Sequence, residues 1–216
     1  AGRFTVEGDG RDLRLSAAGR THYRARPLVE VAPARGWATP EALGEPVDEA
    51  AIYKAAVLFH GPDFQVLRRV ALSAQGALAR LVGVRAMGWP GGPWQTDPAA
   101  IDGALQVAVL WAGHATGHAA LPMGVDTVRV HRTGPAPGML SCVLRATSRT
   151  TDQTRCDIAL LDEDGGVRTE LLGVALVRRP DLDFYKLSLQ LEGSSVLTQD
   201  GRDAVLRPGD LTIYDT

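Results

Sequence analysis

The chain has little of what several protein classes require. Only two of its 216 residues are cysteines, Cys142 and Cys156. They form no CxxC pair, which argues against a thiolate-ligated structural zinc site. Both lie in apolar, strand-like runs and read as reduced core thiols of a cytoplasmic protein. No stretch reaches the roughly 18 uninterrupted apolar residues of a membrane helix. The first ten residues, AGRFTVEGDG, contain neither an initiator Met nor the apolar core of a signal peptide. The expectation is a chain that begins inside a longer one. Charge of one sign is also missing. The net charge is -2, without the basic excess of a nucleic-acid binder. There is no internal repeat and no low-complexity tract.

What is present is ordinary globular material, with 45% hydrophobic and 22% charged residues. Three segments differ in character. Residues 1–46 open with short β-prone runs around Leu13-Arg14-Leu15, Thr21 to Arg26 and Leu28 to Val31, with a turn at Gly8-Asp9-Gly10. The Ala-, Pro- and Gly-rich residues 32–46 then read as a linker or surface connection. Residues 47–180 carry the main pattern. Val47 to Val57 is compatible with a helix capped by Asp48, and strands are expected at Val66 to Leu72 and Ala77 to Val84. Trp89-Pro90-Gly91-Gly92-Pro93-Trp94 can only be a rigid loop.

The clearest helix follows. Asp97 suits an N-cap and Pro98 the first helical turn, where a missing N–H costs nothing. Ile101, Leu105, Ala108, Val109 and Ala112 recur at helical spacing. Ala104, Ala108 and Ala112 make one side small enough for close packing. The helix is apolar on most sides, so it is expected to be buried and to end near Gly117. Strands are expected at Val125 to Val130, Leu140 to Thr147, Cys156 to Leu161 and Thr169 to Val177. A hairpin turn at Asp162 to Gly166 joins the last two. One buried helix followed by antiparallel strands predicts an α+β layout, a sheet wrapped around a helix. Residues 181–216 are all-β, with strict alternation from Lys186 to Leu191 and a strand–turn–strand pattern from Val205 to Leu211.

Within this frame, polar residues on the apolar helix stand out. Asp102 and Gln106 are four apart and share a face. A buried carboxyl stays protonated more readily than an exposed one and can act as a general acid. Gln106 could fix its orientation. Periodicity alone leaves open that Asp102 is simply a satisfied polar residue of the core or an interface. His114 and His118 have a spacing that would suit a metal, but no third ligand accompanies them. Their place at the helix end also suits a cation against the dipole. His22 and His131 read as exposed strand positions.

Three blocks resemble one family. Leu58-Phe59-His60-Gly61-Pro62-Asp63-Phe64-Gln65 resembles the hydrophobic-Gly-Pro-x-Phe signature of polyketide-synthase dehydratases. Asp97 to Gln106 resembles their x-Pro-x-x-Leu-Asp-x-x-x-Gln/His helix. Leu121-Pro122 followed by Val128-Arg129 resembles their next segment. The loop Met87 to Trp94 looks more like that of iterative, lipid-making synthases. The resemblance implies a hotdog fold, with residues 47–180 as the second half of a double hotdog and residues 1–46 as closing strands of a truncated first half plus a linker. It implies dehydration of a β-hydroxyacyl thioester carried on the phosphopantetheine of an acyl carrier protein, with no cofactor or metal. Other synthase domains and a second copy of the chain would be its partners. Asp102 and Gln106 match the catalytic positions, and His60, Gly61 and Pro62 match the substrate-lining block. His60 stands where the family often has Tyr. Gly61 would permit close backbone approach to the thioester, and a helix N-terminus would polarise its carbonyl.

The family's His-x-x-x-Gly-x-x-x-x-Pro motif, source of the catalytic base, has no match here. None of the five histidines has Gly four and Pro nine residues on. An acyl-binding or scaffold hotdog without turnover is therefore the alternative. The tail, Tyr185 to Thr216, resembles part of the cupin sensor domain of AraC-type regulators. That opens a third possibility, a ligand-sensing fragment, although no DNA-binding helix pair follows.

Overall fold

The computed structural model describes residues 4–8, 12–17, 20–28, 30–54, 57–178, 186–189, 193–199 and 202–214. The chain divides into two compact units, Ala1–Arg178 and Arg179–Thr216.

The first unit opens with a three-stranded antiparallel meander, β1 (Phe4–Gly8), β2 (Leu13–Ala17) and β3 (Arg20–Ala25). Asp9 and Gly10 of the expected turn lie outside the described residues. Leu28 and Val31, expected in a strand, lie outside any strand and are half exposed. Val29 between them lies outside the described residues.

The main sheet follows. Its strands are β4 (Val47–Asp48), β5 (Leu67–Ser73), β6 (Gly76–Leu81), β7 (Ala120–Gly124), β8 (Thr127–Val130), β9 (Leu140–Arg149), β10 (Gln153–Leu161) and β11 (Val167–Arg178). They run β4-β5-β6-β9-β10-β11-β7, with β8 also paired to β11, and every pairing is antiparallel. Two helices belong to this layer, α1 (Glu49–Lys54) and α2 (Pro98–Thr116). Ala55 and Ala56, read as continuing the first helix, lie outside the described residues. The strand expected at 125–130 is β8, and the preceding segment forms a further strand, β7, that was not expected; both pair with β11.

The sheet curls around α2, which is the hotdog arrangement. Ala100, Ala104, Ala108 and Ala112 are fully buried, as the spacing of small residues requires. Alternate residues of the strands meet that face: Leu67, Leu81, Leu140, Leu144, Ile158, Leu160, Leu171 and Leu176. Trp111 is wholly buried among them. At about 25 cal/mol per Å² of apolar surface removed from water, such a core is the main term holding the unit together.

Both ends of α2 are fixed as its sequence requires. Asp97 is extended (φ -106°, ψ 92°) and its carboxylate accepts from the Ala100 amide. Gly117 closes the helix in the left-handed region (φ 75°), donating its amide to the Gly113 carbonyl.

Residues 32–46 carry no regular structure and run as a connection that is fastened to the sheet. The Trp37 indole and the Arg35 amide both donate to the buried Glu170 of β11, at 2.8 and 3.0 Å. Arg145 lies over the Trp37 ring, 5.0 Å from its centre. The segment is therefore pinned to the sheet.

The second unit contains β12 (Lys186–Leu189), β13 (Ser195–Gln199), β14 (Arg202–Leu206) and β15 (Leu211–Tyr214). β12 pairs with β15 and β13 with β14. The tight turn before β15 has Gly209 at φ 94°, and the Asp210 carboxylate accepts from the Arg207 amide at 2.7 Å. Tyr185, Gln190 to Glu192, Asp200, Gly201, Asp215 and Thr216, which belong to the regulator-like pattern, lie outside the described residues.

Candidate active site

Asp102 stands just beyond the first turn of α2, with about a third of its side chain exposed. Gln106, one turn on, is buried and donates from Nε2 to Asp102 Oδ2 at 2.7 Å. The same nitrogen donates to the Phe64 carbonyl at 2.8 Å. On the other side of the amide, the Tyr53 hydroxyl of α1 lies 2.8 Å from Oε1. The Tyr53 oxygen itself accepts from the Leu67 amide at 2.9 Å. With Leu67 donating to it, the tyrosine must pass its own hydrogen to Gln106. That order fixes the amide with nitrogen toward Asp102. Burial raises the Tyr53 pKa, against the lowering effect of the Leu67 amide, so the donor stays protonated at neutral pH.

The loop before β5 brings a second group. His60 Nε2 lies 3.5 Å from Asp102 Oδ2. The ring is mostly buried, stacks on Phe59 at 4.8 Å, and its Nδ1 has no hydrogen-bond partner among the described residues. Gln65 pins the loop by donating to the His60 carbonyl at 3.0 Å. Pro62–Phe64 forms one 3-10 turn with Gly61 at its cap. Gly61 has ordinary extended angles (φ -68°, ψ 170°), and a Cβ there would meet nothing within 4 Å. Among the described residues, no contact demands glycine at that position.

The aromatic loop covers this turn from above. Trp89 meets Phe64 edge-on at 4.9 Å and donates its indole N–H to the Asp63 carbonyl at 3.0 Å. Trp94 lies against Trp89, and Phe59, stacked on His60, is 86% exposed. An open groove of about 810 Å³ runs past Tyr53, Gln65 and Arg68. It meets the network at Tyr53; Asp102 and His60 are not among its lining residues.

Asp97, the other carboxylate of the helix, is structural. It is buried and accepts three backbone amides, from Val84, Ala100 and Ala136 at 2.8–3.1 Å. The backbone at Gly83 approaches it so closely that a Cβ there would stand 1.9 Å from Oδ2. The first turn of α2 is occupied in the same way, because the Ala100 and Ile101 amides already bind Asp97. The expectation that a helix N-terminus polarises a thioester carbonyl is not met by these two amides.

Sequence reasoning brought Asp102, Gln106 and His60 forward, and the structure brings these three together. It missed Tyr53, because nothing in local spacing links it to a residue 53 positions away. It also misplaced His131, which is not an exposed strand position. His131 follows β8 at a bend and its Nε2 lies 3.0 Å from Glu170 Oε2. Glu170 is fully buried and also lies 3.5 Å from Arg129. His114 and His118 stay near the end of α2. Among the described residues no cluster of three or more His, Cys, Asp or Glu could hold a metal ion.

The model of the polyketide synthase dehydratase N-terminal domain matches residues 32–182. That is well over half of the chain. The chain belongs to the polyketide synthase dehydratase family. The solved dehydratases share its fold. The dehydratase domain of a mycocerosic acid synthase-like polyketide synthase superposes with a TM-score of 0.59 at 20% identity, over 82% of this chain and 67% of that one. A GphF dehydratase variant gives 0.62 at 16% identity, over 82% and 69%. The dehydratase domain of RzxB from Pseudomonas fluorescens gives 0.54 at 20%, over 80% and 66%. The chain thus spans about two thirds of the length of these dehydratase domains. No curated protein matches it in sequence. The dehydratase model ends at residue 182 and gives no support to the reading of the tail as part of a cupin sensor.

Proposed function

We propose that this dehydratase-family chain removes water from a β-hydroxyacyl thioester, giving the α,β-unsaturated thioester, with Asp102 as the acid that protonates the departing hydroxyl. The observation that carries this reading is the Gln106 clamp. An amide held at both ends, by Tyr53 and Phe64, presents its N–H to Asp102 at 2.7 Å. A carboxyl fixed in this way and still reachable from solvent is what acid catalysis of a poor leaving group needs.

Several finer points rest on the same reading. The substrate arrives on the phosphopantetheine arm of an acyl carrier protein, and the elimination requires an acid and a base rather than a cofactor. The His60-Gly61-Pro62 turn lines the substrate beside Asp102, where a glycine leaves the thioester side open. Residues 47–180 act as the second half of a double hotdog. The Asp102/Gln106 helix motif supports that assignment, although the matching family description names an N-terminal domain. Other synthase domains, and a second copy of the chain, are its neighbours in the cytoplasm. The base of the His-x-x-x-Gly-x-x-x-x-Pro motif is not in the sequence.

The test is Asp102→Asn. Dehydration of a β-hydroxyacyl thioester, measured with the first-half polypeptide supplied, should fall by at least about 100-fold with unfolding unchanged. Parent-level turnover by this variant removes Asp102 from the acid role.

A further inference from the structure

We infer that His60 is a positioning residue for the acid: its Nε2–H faces Asp102 Oδ2, so that the proton Asp102 delivers sits on Oδ1. The inference rests on the reading of Asp102 given above, and adds which of the two carboxyl oxygens carries the proton.

The contacts around the carboxyl are one-sided. Gln106 donates to Oδ2 at 2.7 Å, and His60 Nε2 lies 3.5 Å from the same oxygen, at the outer edge of hydrogen bonding. Among the described residues none donates to Oδ1.

The surroundings of the ring decide its tautomer. His60 Nδ1 is buried and has no hydrogen-bond partner among the described residues. A hydrogen there, on a neutral or a protonated ring alike, would be a buried donor without an acceptor. At Nε2 the balance runs the other way. A lone pair facing Asp102 Oδ2 would set two acceptors against each other, whereas an N–H sets a donor against an acceptor. Both nitrogens therefore favour a neutral ring with its hydrogen on Nε2. Phe59 stacked on the ring and Gln65 on the His60 carbonyl keep that donor beside the carboxyl.

Two hydrogens directed at Oδ2 leave the carboxylic proton to Oδ1, the oxygen that neither contact covers. As Oδ1 passes its proton to the departing hydroxyl, negative charge spreads over the carboxyl, and the two donors at Oδ2 stabilise it. The turn of residues 60–65 thus supports the acid twice, through His60 and through the Phe64 carbonyl that holds Gln106.

The test is NMR of the ring nitrogens in the whole 216-residue chain, labelled with heavy nitrogen in its five histidines. Loss of one set of signals in His60→Phe, or in His60→Gln should the Phe variant fail to fold, assigns His60. At neutral pH its hydrogen should sit on Nε2 with Nδ1 bare. Asp102→Asn should move that Nε2–H signal and leave those of the other histidines in place. A ring that only fills space would not respond. Hydrogen on Nδ1, or an Nε2–H signal indifferent to Asp102→Asn, overturns the inference. In the dehydration assay used for Asp102→Asn, His60→Phe should lower kcat roughly tenfold, the rate equivalent of one hydrogen bond, with KM within about twofold of the parent. His60→Tyr differs from it by one hydroxyl donor and should recover most of that loss. Parent-level kcat in His60→Phe, or no recovery in His60→Tyr, also overturns the inference. Hydrogen on Nδ1 together with an inactive Asp102→Asn removes His60 and leaves Asp102 as the acid. An Nε2–H that responds to Asp102→Asn, in a variant that still turns over like the parent, removes the acid reading and the Oδ1 assignment with it.

Discussion

The Tyr53 hydroxyl lies 2.8 Å from Gln106 Oε1, and that contact decides which way the Gln106 amide points. Reversing the amide would set a donor against the tyrosine's hydrogen and an oxygen against both the Phe64 carbonyl and the Asp102 carboxylate. The chain of donors therefore runs one way, from the Leu67 amide through Tyr53 and Gln106 to Asp102. A residue of the short first helix thereby orients a carboxyl on the long second one.

Tyr53→Phe breaks that chain while keeping the ring. The Leu67 amide and Gln106 Oε1 both lose their partner. The expected cost is about 1–3 kcal/mol of stability, the penalty for buried polar groups left unpaired. Turnover should fall roughly tenfold, equivalent to about 1.4 kcal/mol of lost orientation. Urea unfolding and steady-state turnover measure the two effects; a variant equal to the parent in both would show that the amide needs no such anchor.

Asp97 should matter to folding and not to chemistry. Asp97→Ala removes the acceptor of three buried amides, so it should cost on the order of 3 kcal/mol. Gly83→Ala attacks the same contact from the other side, since its Cβ would meet the carboxylate at 1.9 Å. It should cost about 1–3 kcal/mol through overpacking. Combined, the two changes should cost less than the sum of the singles, because alanine at 97 leaves room for the new methyl. Strict additivity in denaturant midpoints would contradict the contact.

Acid should unpin residues 35–37. Burial pushes the Glu170 carboxyl up, but the Arg35 amide, the Trp37 indole and His131 together bring it below the ordinary glutamate range. A carboxyl whose folded pKa is depressed contributes stability above its unfolded value, about 4.3, and loses it as pH falls through the folded value. Melting temperature should therefore drop below about pH 4.3 in the parent, with a shallower dependence in Glu170→Gln. Asp162, lowered by Arg168 and Arg132 against its own burial, retains part of the acid sensitivity in that variant. Identical pH profiles for the two proteins would dissociate Glu170 from acid stability.

The two thiols should be inert in the folded chain. Burial pushes Cys142 up to about 12 and moves Cys156 in the same direction. Thiolate is then scarce at neutral pH. An aromatic disulfide reagent should label both only after denaturation, monitored by released thiolate. Prompt labelling of native protein at pH 7 would show that the core opens.

Much of the fold is legible in local pattern. Asp97-Pro98 marks the start of α2 and Gly117 its end, because capping depends on a few neighbouring residues. The alanines at 104, 108 and 112 announce a close-packed face. The Asp162 to Gly166 turn marks the hairpin between β10 and β11. Asp102 and Gln106 stand four apart on one helix, so their contact was visible before any tertiary structure. Residues 35–37 were not legible in this way. Alanine, proline and glycine mark a linker or surface connection, and only the tertiary structure shows that Trp37 finds its partner 133 positions away in Glu170.

What the sequence determined by itself is therefore the local part: a capped, small-faced helix, the strands around it, and a carboxyl with an amide one turn above. Only the tertiary structure decided which other groups reach that carboxyl. Tyr53 and His60 come from separate segments, and their distance to α2 depends on how the sheet and the 57–65 loop fold back over the helix. Periodicity encodes which face of an element is buried. It carries no information on which distant side chain will be pressed against that face, because that is settled by packing of the whole core.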